Sequence, residues 1–308
     1  MEYLPEVLAT EDGECDITNA FCFSKDAVFL LVNARSDDEA IEASVLLRVD
    51  LSTDPISYAI LHEFDSGSLA YHAETPDLHF ILASGGYIHQ IRNGEMTFHM
   101  FVSDAYLPNM ARYDRESVVV FGENGEAYHF QNGIYRRILT RTDRMLNAMV
   151  FPQSGIGFAA GELGTFLAGN GESFSRVDLG GDEAIRALTI KANSEVLLAC
   201  TAGVGLIVSG DELRRAQGAQ SDFYSVVEFG GVEYWGDDEF GMYTRDGGEF
   251  HPKFETGYAF NMNVSNGLLT VNAGYSVYIY DGADWINLQL NNNIEKLVER
   301  VPLDFEPL

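Results

Sequence analysis

The densest chemistry-bearing segment is Ala111-Arg-Tyr-Asp-Arg-Glu-Ser117, which holds Arg112, Tyr113, Asp114, Arg115 and Glu116 side by side. Two guanidiniums could clamp a substrate carboxylate while a tyrosine, partnered by a glutamate, attacks a glycosidic carbon. The same residue types also suit a solvated turn. A second set, His62, His72, Glu74 and His79, supplies imidazoles and a carboxylate, but its spacings match no compact zinc motif. His89, His99, His129 and His251 are scattered singly and read as structural. The acidic stretches GECD, SDDEA and WGDDEF do not alternate oxygen ligands as a calcium loop does. The chain contains no Gly-Xaa-Ser-Xaa-Gly elbow, no phosphate-cradling loop ending in Gly-Lys-Ser/Thr, and no glycine fingerprint between a strand and a helix. No catalytic residue, metal or cofactor is therefore assigned.

Carboxylates dominate the remaining chemistry. Against 19 Lys plus Arg stand 47 Asp plus Glu, a formal charge of −28. Binding to a phosphate backbone needs clustered cations, so nucleic acid is an unsuitable partner and a basic protein a suitable one. High net charge also keeps a β-rich chain dispersed, and a monomer is expected. Cys15, Cys22 and Cys200 are odd in number and lack paired spacing, which indicates a reducing, cytoplasmic setting. The opening MEYLPEVLATEDGECD has no basic region leading into an apolar one, and no uncharged run reaches membrane-spanning length. Neither secretion nor membrane insertion is expected.

The elements that must position these groups are legible in a repeat. An Asn, Asp or Ser followed by Gly recurs at Asn93-Gly94, Asn132-Gly133, Asn170-Gly171, Ser209-Gly210, Asp246-Gly247 and Asp281-Gly282, so the glycines are 39, 38, 39, 37 and 35 residues apart. Such pairs supply the positive-φ positions of tight hairpins. Before each lie short apolar or alternating runs, among them HFILAS, SVVVFG, EVLLACT and GLLTVN. These runs read as strands, four to a unit. Four strands at a period near 40 specify a blade of a β-propeller. Six blades span 66–104, 105–143, 144–182, 183–220, 221–257 and 258–293; a seventh, 18–64, carries the polar insertion RSDDEAIEAS. The expected fold is all-β: a seven-bladed β-propeller with four antiparallel strands per blade, formed as a single domain over 1–308. The ends, 1–17 and 294–308, are unassigned; either could add an outer strand, and IEKLVERV could instead form a helical cap.

From Ala105 onward the units resemble the degenerate BNR-like blades of the photosystem II assembly and stability factor family. The segment NAMVFPQSGIGFAAGELGTFLAGNGESFSRV, Asn147 to Val177, follows that family's order of strands and glycine turns, and YTRDGGEF, Tyr243 to Phe250, resembles its Asp-Gly-Gly turn. The chain departs from the family in tryptophan: only Trp235 and Trp285 are present, and only Trp285 holds the closing position. The resemblance implies the propeller fold and an assembly or chaperone role. The turns are also similar to the Asp-boxes of sialidase propellers, without a full copy.

Phasing the strands assigns the loops. Turns between second and third strands share a face with the links between blades, and propellers place function on such loops. That face would carry Asp37, Asp38, Glu39 and Glu42 in the insertion, with Glu123, Glu162, Asp182, Glu183, Asp237, Asp238 and Glu239. The opposite face is acidic too, but its charges are less contiguous. These residues are the expected binding site for a basic protein partner, and an inhibitor or immunity protein of a cationic toxin or nuclease is one concrete form. Two alternatives stand beside it. One is a glycan-active enzyme using Asp104, Tyr106, Tyr113 and Tyr258, and the other is the assembly factor implied by resemblance.

Overall fold

The computed structural model describes residues 14–35, 42–152, 156–291 and 297–303. Seven antiparallel sheets follow one another along the chain. The first is β1 (Glu14–Ser24), β2 (Ala27–Arg35), β3 (Glu42–Asp50) and β4 (Ser57–Phe64); the second is β5 (Ser68–Thr75), β6 (Leu78–Ala83), β7 (Tyr87–Arg92) and β8 (Glu95–Phe101). The third is β9 (Asn109–Asp114), β10 (Ser117–Phe121), β11 (Ala127–Gln131) and β12 (Ile134–Arg137), and the fourth β13 (Leu146–Val150), β14 (Gly157–Gly161), β15 (Phe166–Gly169) and β16 (Phe174–Arg176). The fifth is β17 (Ile185–Ile190), β18 (Val196–Cys200), β19 (Gly205–Ser209) and β20 (Glu212–Ala216), and the sixth β21 (Phe223–Phe229), β22 (Val232–Asp237), β23 (Met242–Asp246) and β24 (Glu249–Phe254). The last comprises β25 (Asn261–Ser265), β26 (Leu268–Asn272), β27 (Ser276–Tyr280), β28 (Trp285–Leu290) and an added outer strand, β29 (Val298–Val301). The fold is all-β, a seven-bladed β-propeller with four antiparallel strands in each blade. Of the two readings of the C-terminal IEKLVERV segment, Val298–Val301 takes the strand, pairing with β28.

Second strands are apolar on both faces because each feeds two cores. Side chains alternate along a strand, so a strand covered on both sides reads as a continuous hydrophobic run. In β2, Val28, Leu30 and Val32 enter one cluster with Val277, Ile279 and Leu288, while Phe29 and Leu31 enter another with Tyr71, Ile81 and Ile91. In β18, Val196, Leu198 and Cys200 face Phe166 and Ile185, while Leu197 and Ala199 face Phe223, Trp235 and Phe250. Outer strands behave oppositely: all four residues of β12 are exposed.

Only some of the Asn-Gly turns are the tight form with two positive φ angles. Asn93-Gly94 and Asn132-Gly133 are, as is Asn266-Gly267, which lies outside the repeat. At Asn170-Gly171 and Asp281-Gly282 only the glycine is positive. There the side chain makes the turn: Asn170 Oδ1 accepts from Glu172 N at 3.1 Å, and Asp281 Oδ1 from Ala283 N and Asp284 N at 2.8 Å each. The insertion is also shorter than its sequence suggests, since Arg35 and Glu42 pair in register as the ends of β2 and β3.

The described residues form two compact units, one from within 14–99 and 261–303, the other from 100–260. Within each, buried or half-buried asparagine side chains join one blade's strand to the next blade's backbone. In the first unit Asn272 Nδ2 donates to Ile17 O at 2.7 Å, and Asn33 Nδ2 to Ser68 O at 2.9 Å. In the second, Asn109 Nδ2 donates to Leu146 O at 3.1 Å and Asn147 Nδ2 to Ile185 O at 2.9 Å. Among the described residues, no helix is long and apolar enough to cross a membrane.

Candidate interaction surface

In the second unit, strand alternation turns Tyr224 outward between buried Phe223 and Ser225, and Arg186 outward after buried Ile185. The Arg186 guanidinium centre lies 5.9 Å from the Tyr224 ring centroid. Phe260 meets Tyr224 edge to face at 5.6 Å, and Tyr258 stacks on Phe260 at 5.2 Å and 9°. Such offset and edge contacts are the favoured aromatic geometries. Tyr258 and Phe260 remain 48% and 40% exposed.

The link that presents these rings is held at several points. Ala259 N donates to Asp237 O at 2.8 Å, Gly257 N to Phe240 O at 3.1 Å, and Ser225 Oγ to Ala259 O at 2.5 Å. Asp238 hydrogen-bonds Tyr224, whose phenol is raised above its ordinary range by burial first and by the Asp238 charge second. The result is a fixed shelf of exposed aromatic rings bordered by Asp238.

The expected binding residues divide by what the fold asks of them. Asp182 and Glu239 are exposed, and Asp238 is half-buried beside Tyr224. Glu162 accepts from Arg186 Nη1 at 2.9 Å, and Glu183 is bonded by Arg215, whose hydrogen bond holds the Glu183 carboxyl below its ordinary range. Asp237 is fully buried: Oδ1 accepts from Phe240 N at 2.8 Å and Gly241 N at 2.7 Å, and Oδ2 from Ser221 Oγ at 2.6 Å. Its carboxylate builds the turn that carries Asp238 and Glu239. Glu123 is exposed, and its Oε2 accepts from Tyr106 N at 3.4 Å. Glu42, in the first unit, is exposed at the start of β3. Asp37, Asp38 and Glu39 lie outside the described residues.

The other chemistry-bearing groups are built into packing. Tyr113 sits against His129 at 4.1 Å and Phe151 at 4.8 Å between ring centroids, and Asp114 Oδ1 caps its turn by accepting from Glu116 N at 2.8 Å. In the first unit, His79 is buried, with Nδ1 2.9 Å from the Tyr71 hydroxyl and Nε2 3.0 Å from Pro76 O; burial pushes its pKa down to about 4. His89 is likewise pushed to about 4, by burial and then by His99 and His62. Cys15, Cys22 and Cys200 are free and buried, and burial raises their thiols to about 12.

Sequence reasoning missed Tyr224, Phe260 and Arg186. Tyr224 and Arg186 sit in ordinary strand alternation, and only Tyr258 stood out as a loop aromatic. It also missed a cleft of about 790 Å³ whose rim carries Arg137, Arg141, Arg144 and Arg176. Those arginines come from separated turns and strands, so no local charge run marks them.

No family profile matches the chain, and no curated protein matches it. Solved structures do. The chain is similar to the WD40 β-propeller domain of Doa1, with a TM-score of 0.67 and 11% identity over 85% of this chain and 91% of that one. It is similar to YCF48 bound to D1 peptide, with a TM-score of 0.61 and 8% identity over 88% and 97% of the two chains. YCF48 from Cyanidioschyzon merolae gives a TM-score of 0.54 and 15% identity over 73% and 93%. At these identities the likeness is one of fold: the seven-bladed β-propeller read from the repeat, shared with the photosystem II assembly factor YCF48.

Proposed function

We propose that this protein is a non-catalytic binding propeller that docks a basic protein partner on its acidic surface, with the Tyr258–Phe260 shelf as the apolar anchor. One observation carries the reading: two stacked rings stay exposed on a link fixed by backbone hydrogen bonds, with Asp238 bonded to Tyr224 of the same shelf and its chain neighbour Glu239 exposed. Exposed aromatic residues on a rigid support are the usual energetic centres of interfaces, and surrounding charge steers encounter. A formal charge of −28 provides that steering. In its sharper form the partner is a cationic toxin or nuclease held inhibited. The solved YCF48 complex with D1 peptide supports the coarser statement that a propeller of this shape can receive a polypeptide. Three free, buried cysteines suit work in the reducing cytoplasm.

The test is capture from the source lysate at low and high salt, with wild type beside Phe260→Ala and the double variant Asp238→Asn, Glu239→Gln. A basic protein that binds wild type at low salt, is lost at high salt and is depleted on both variants is the expected outcome. The triple variant Asp37→Asn, Asp38→Asn, Glu39→Gln should slow that partner's association. Capture unaffected by all three variants would remove this surface from the reading.

A further inference from the structure

We propose that the arginine-lined cleft of the second unit binds a phosphate monoester carried on an apolar body. Four of the chain's 19 basic residues, Arg137, Arg141, Arg144 and Arg176, line this one cleft in a protein of net charge −28. The nearby acids only partly offset them. Asp143 lies 3.5 Å from Arg144 Nε, and Glu126 lies 3.8 Å from Arg137 Nη2, both loose contacts at solvent-exposed guanidiniums. Arg141 and Arg176 have no ion-pair partner among the described residues. Four guanidiniums against two carboxylates leave two positive charges in excess. That excess matches a dianion, and guanidinium forks match phosphate oxygens in pairs.

The backbone at the cleft is held in an uncommon conformation. Arg141 has φ of 56°, a left-handed conformation that non-glycine residues seldom adopt. Its neighbours fix it there. Buried Thr140 donates from Oγ1 to Gly125 O at 2.6 Å, and Arg144 N donates to Thr142 Oγ1 at 3.1 Å.

The cleft is also apolar where the ligand's body would lie. Leu139 and Leu163 line it and are 57% and 51% exposed, which is costly for leucine unless something covers it. At about 790 Å³ the space is far larger than a phosphate group, so a bare inorganic ion would leave both leucines in water. Charge and shape together select a monoester with apolar flanks. Such a group comes either from a phosphorylated side chain flanked by leucine or from a free phosphorylated metabolite. This inference is independent of the docking surface proposed above.

The experiment is calorimetric titration of the full chain with four probes: a Leu-phosphoserine-Leu peptide, its unphosphorylated form, phenyl phosphate as a small free monoester with an apolar body, and phthalate, a dicarboxylate. At least one phosphate monoester should bind, and binding should weaken as salt rises. Arg141→Gln with Arg176→Gln should weaken it by about tenfold or more, while Arg141→Lys, which keeps the charge and loses the fork, should fall between. Leu163→Ala should weaken both monoesters. Tighter binding of the peptide assigns the source to a protein, and tighter binding of phenyl phosphate to a free small molecule. Equal binding of phthalate, equal binding of the unphosphorylated peptide, no binding by any probe, or affinity unchanged in the folded arginine variants would overturn the proposal.

Discussion

At the residue scale, Asp237 and Glu239 are two carboxylates with opposite duties. Both fall in one acidic run, WGDDEF, and composition alone does not separate them. The fold does, because Asp237 accepts from three backbone amides and a serine hydroxyl with no exposure, whereas Glu239 points to water. Removing the buried acceptor strands the serine hydroxyl and the three amides. Asp237→Ala is therefore expected to destabilise the protein by about 2–4 kcal/mol, and Glu239→Gln to change stability by less than about 0.5 kcal/mol. Urea unfolding of the two variants checks this. Equal stabilities would mean that the turn does not depend on the Asp237 carboxylate.

At the element scale, charged side chains tie the fifth and sixth blades together. Lys191 donates to Glu195 at 3.1 Å and to Glu233 at 2.8 Å, and Arg245 Nε donates to Glu233 at 2.8 Å. Hydrogen bonds from Asn193 first, then Lys191, hold the Glu195 carboxyl down at about 2, below its usual 4.5. A carboxylate depressed in the folded state contributes stability that is complete above its unfolded value and is lost as pH falls through its folded value. Wild type should thus lose melting temperature between pH 4.5 and 2, and Glu195→Gln should lose less over the same interval. An identical slope in the variant would show that other carboxylates control acid unfolding.

This network shows what a one-dimensional pattern conceals. Strand positions were legible because a strand buried on both faces, such as β6 or β10, writes itself as an unbroken apolar run between turn residues. The polar ties between blades were not, since Asn272 and Ile17, or Lys191 and Glu233, are joined only by three-dimensional proximity. The candidate site shares that limit. Acidic runs were visible, but whether an acid was exposed, paired with arginine or buried in a turn depended on partners as distant as Arg215 is from Glu183. The first-strand aromatic Tyr224 and the linker residue Phe260 likewise become one shelf only when Ser225 binds Ala259.

At the scale of the whole molecule, charge sets two effects of opposite sign. With −28 formal charges on 308 residues, the compact state carries self-repulsion that the expanded chain relieves. Salt screens it, and at about 0.1 M the screening length is already near 10 Å, shorter than the distance across a domain of this size. Adding salt from a few millimolar to about 0.2 M should therefore raise the melting temperature, although it weakens exposed pairs such as Arg144 with Asp143. The same salt should slow capture of a basic partner, because the field that strains the fold also steers the encounter. Calorimetric scans and association rates measured across one salt series test both together. A melting temperature that falls with salt would mean that local ion pairs outweigh net repulsion, and the large negative charge would then need no compensating role in recognition.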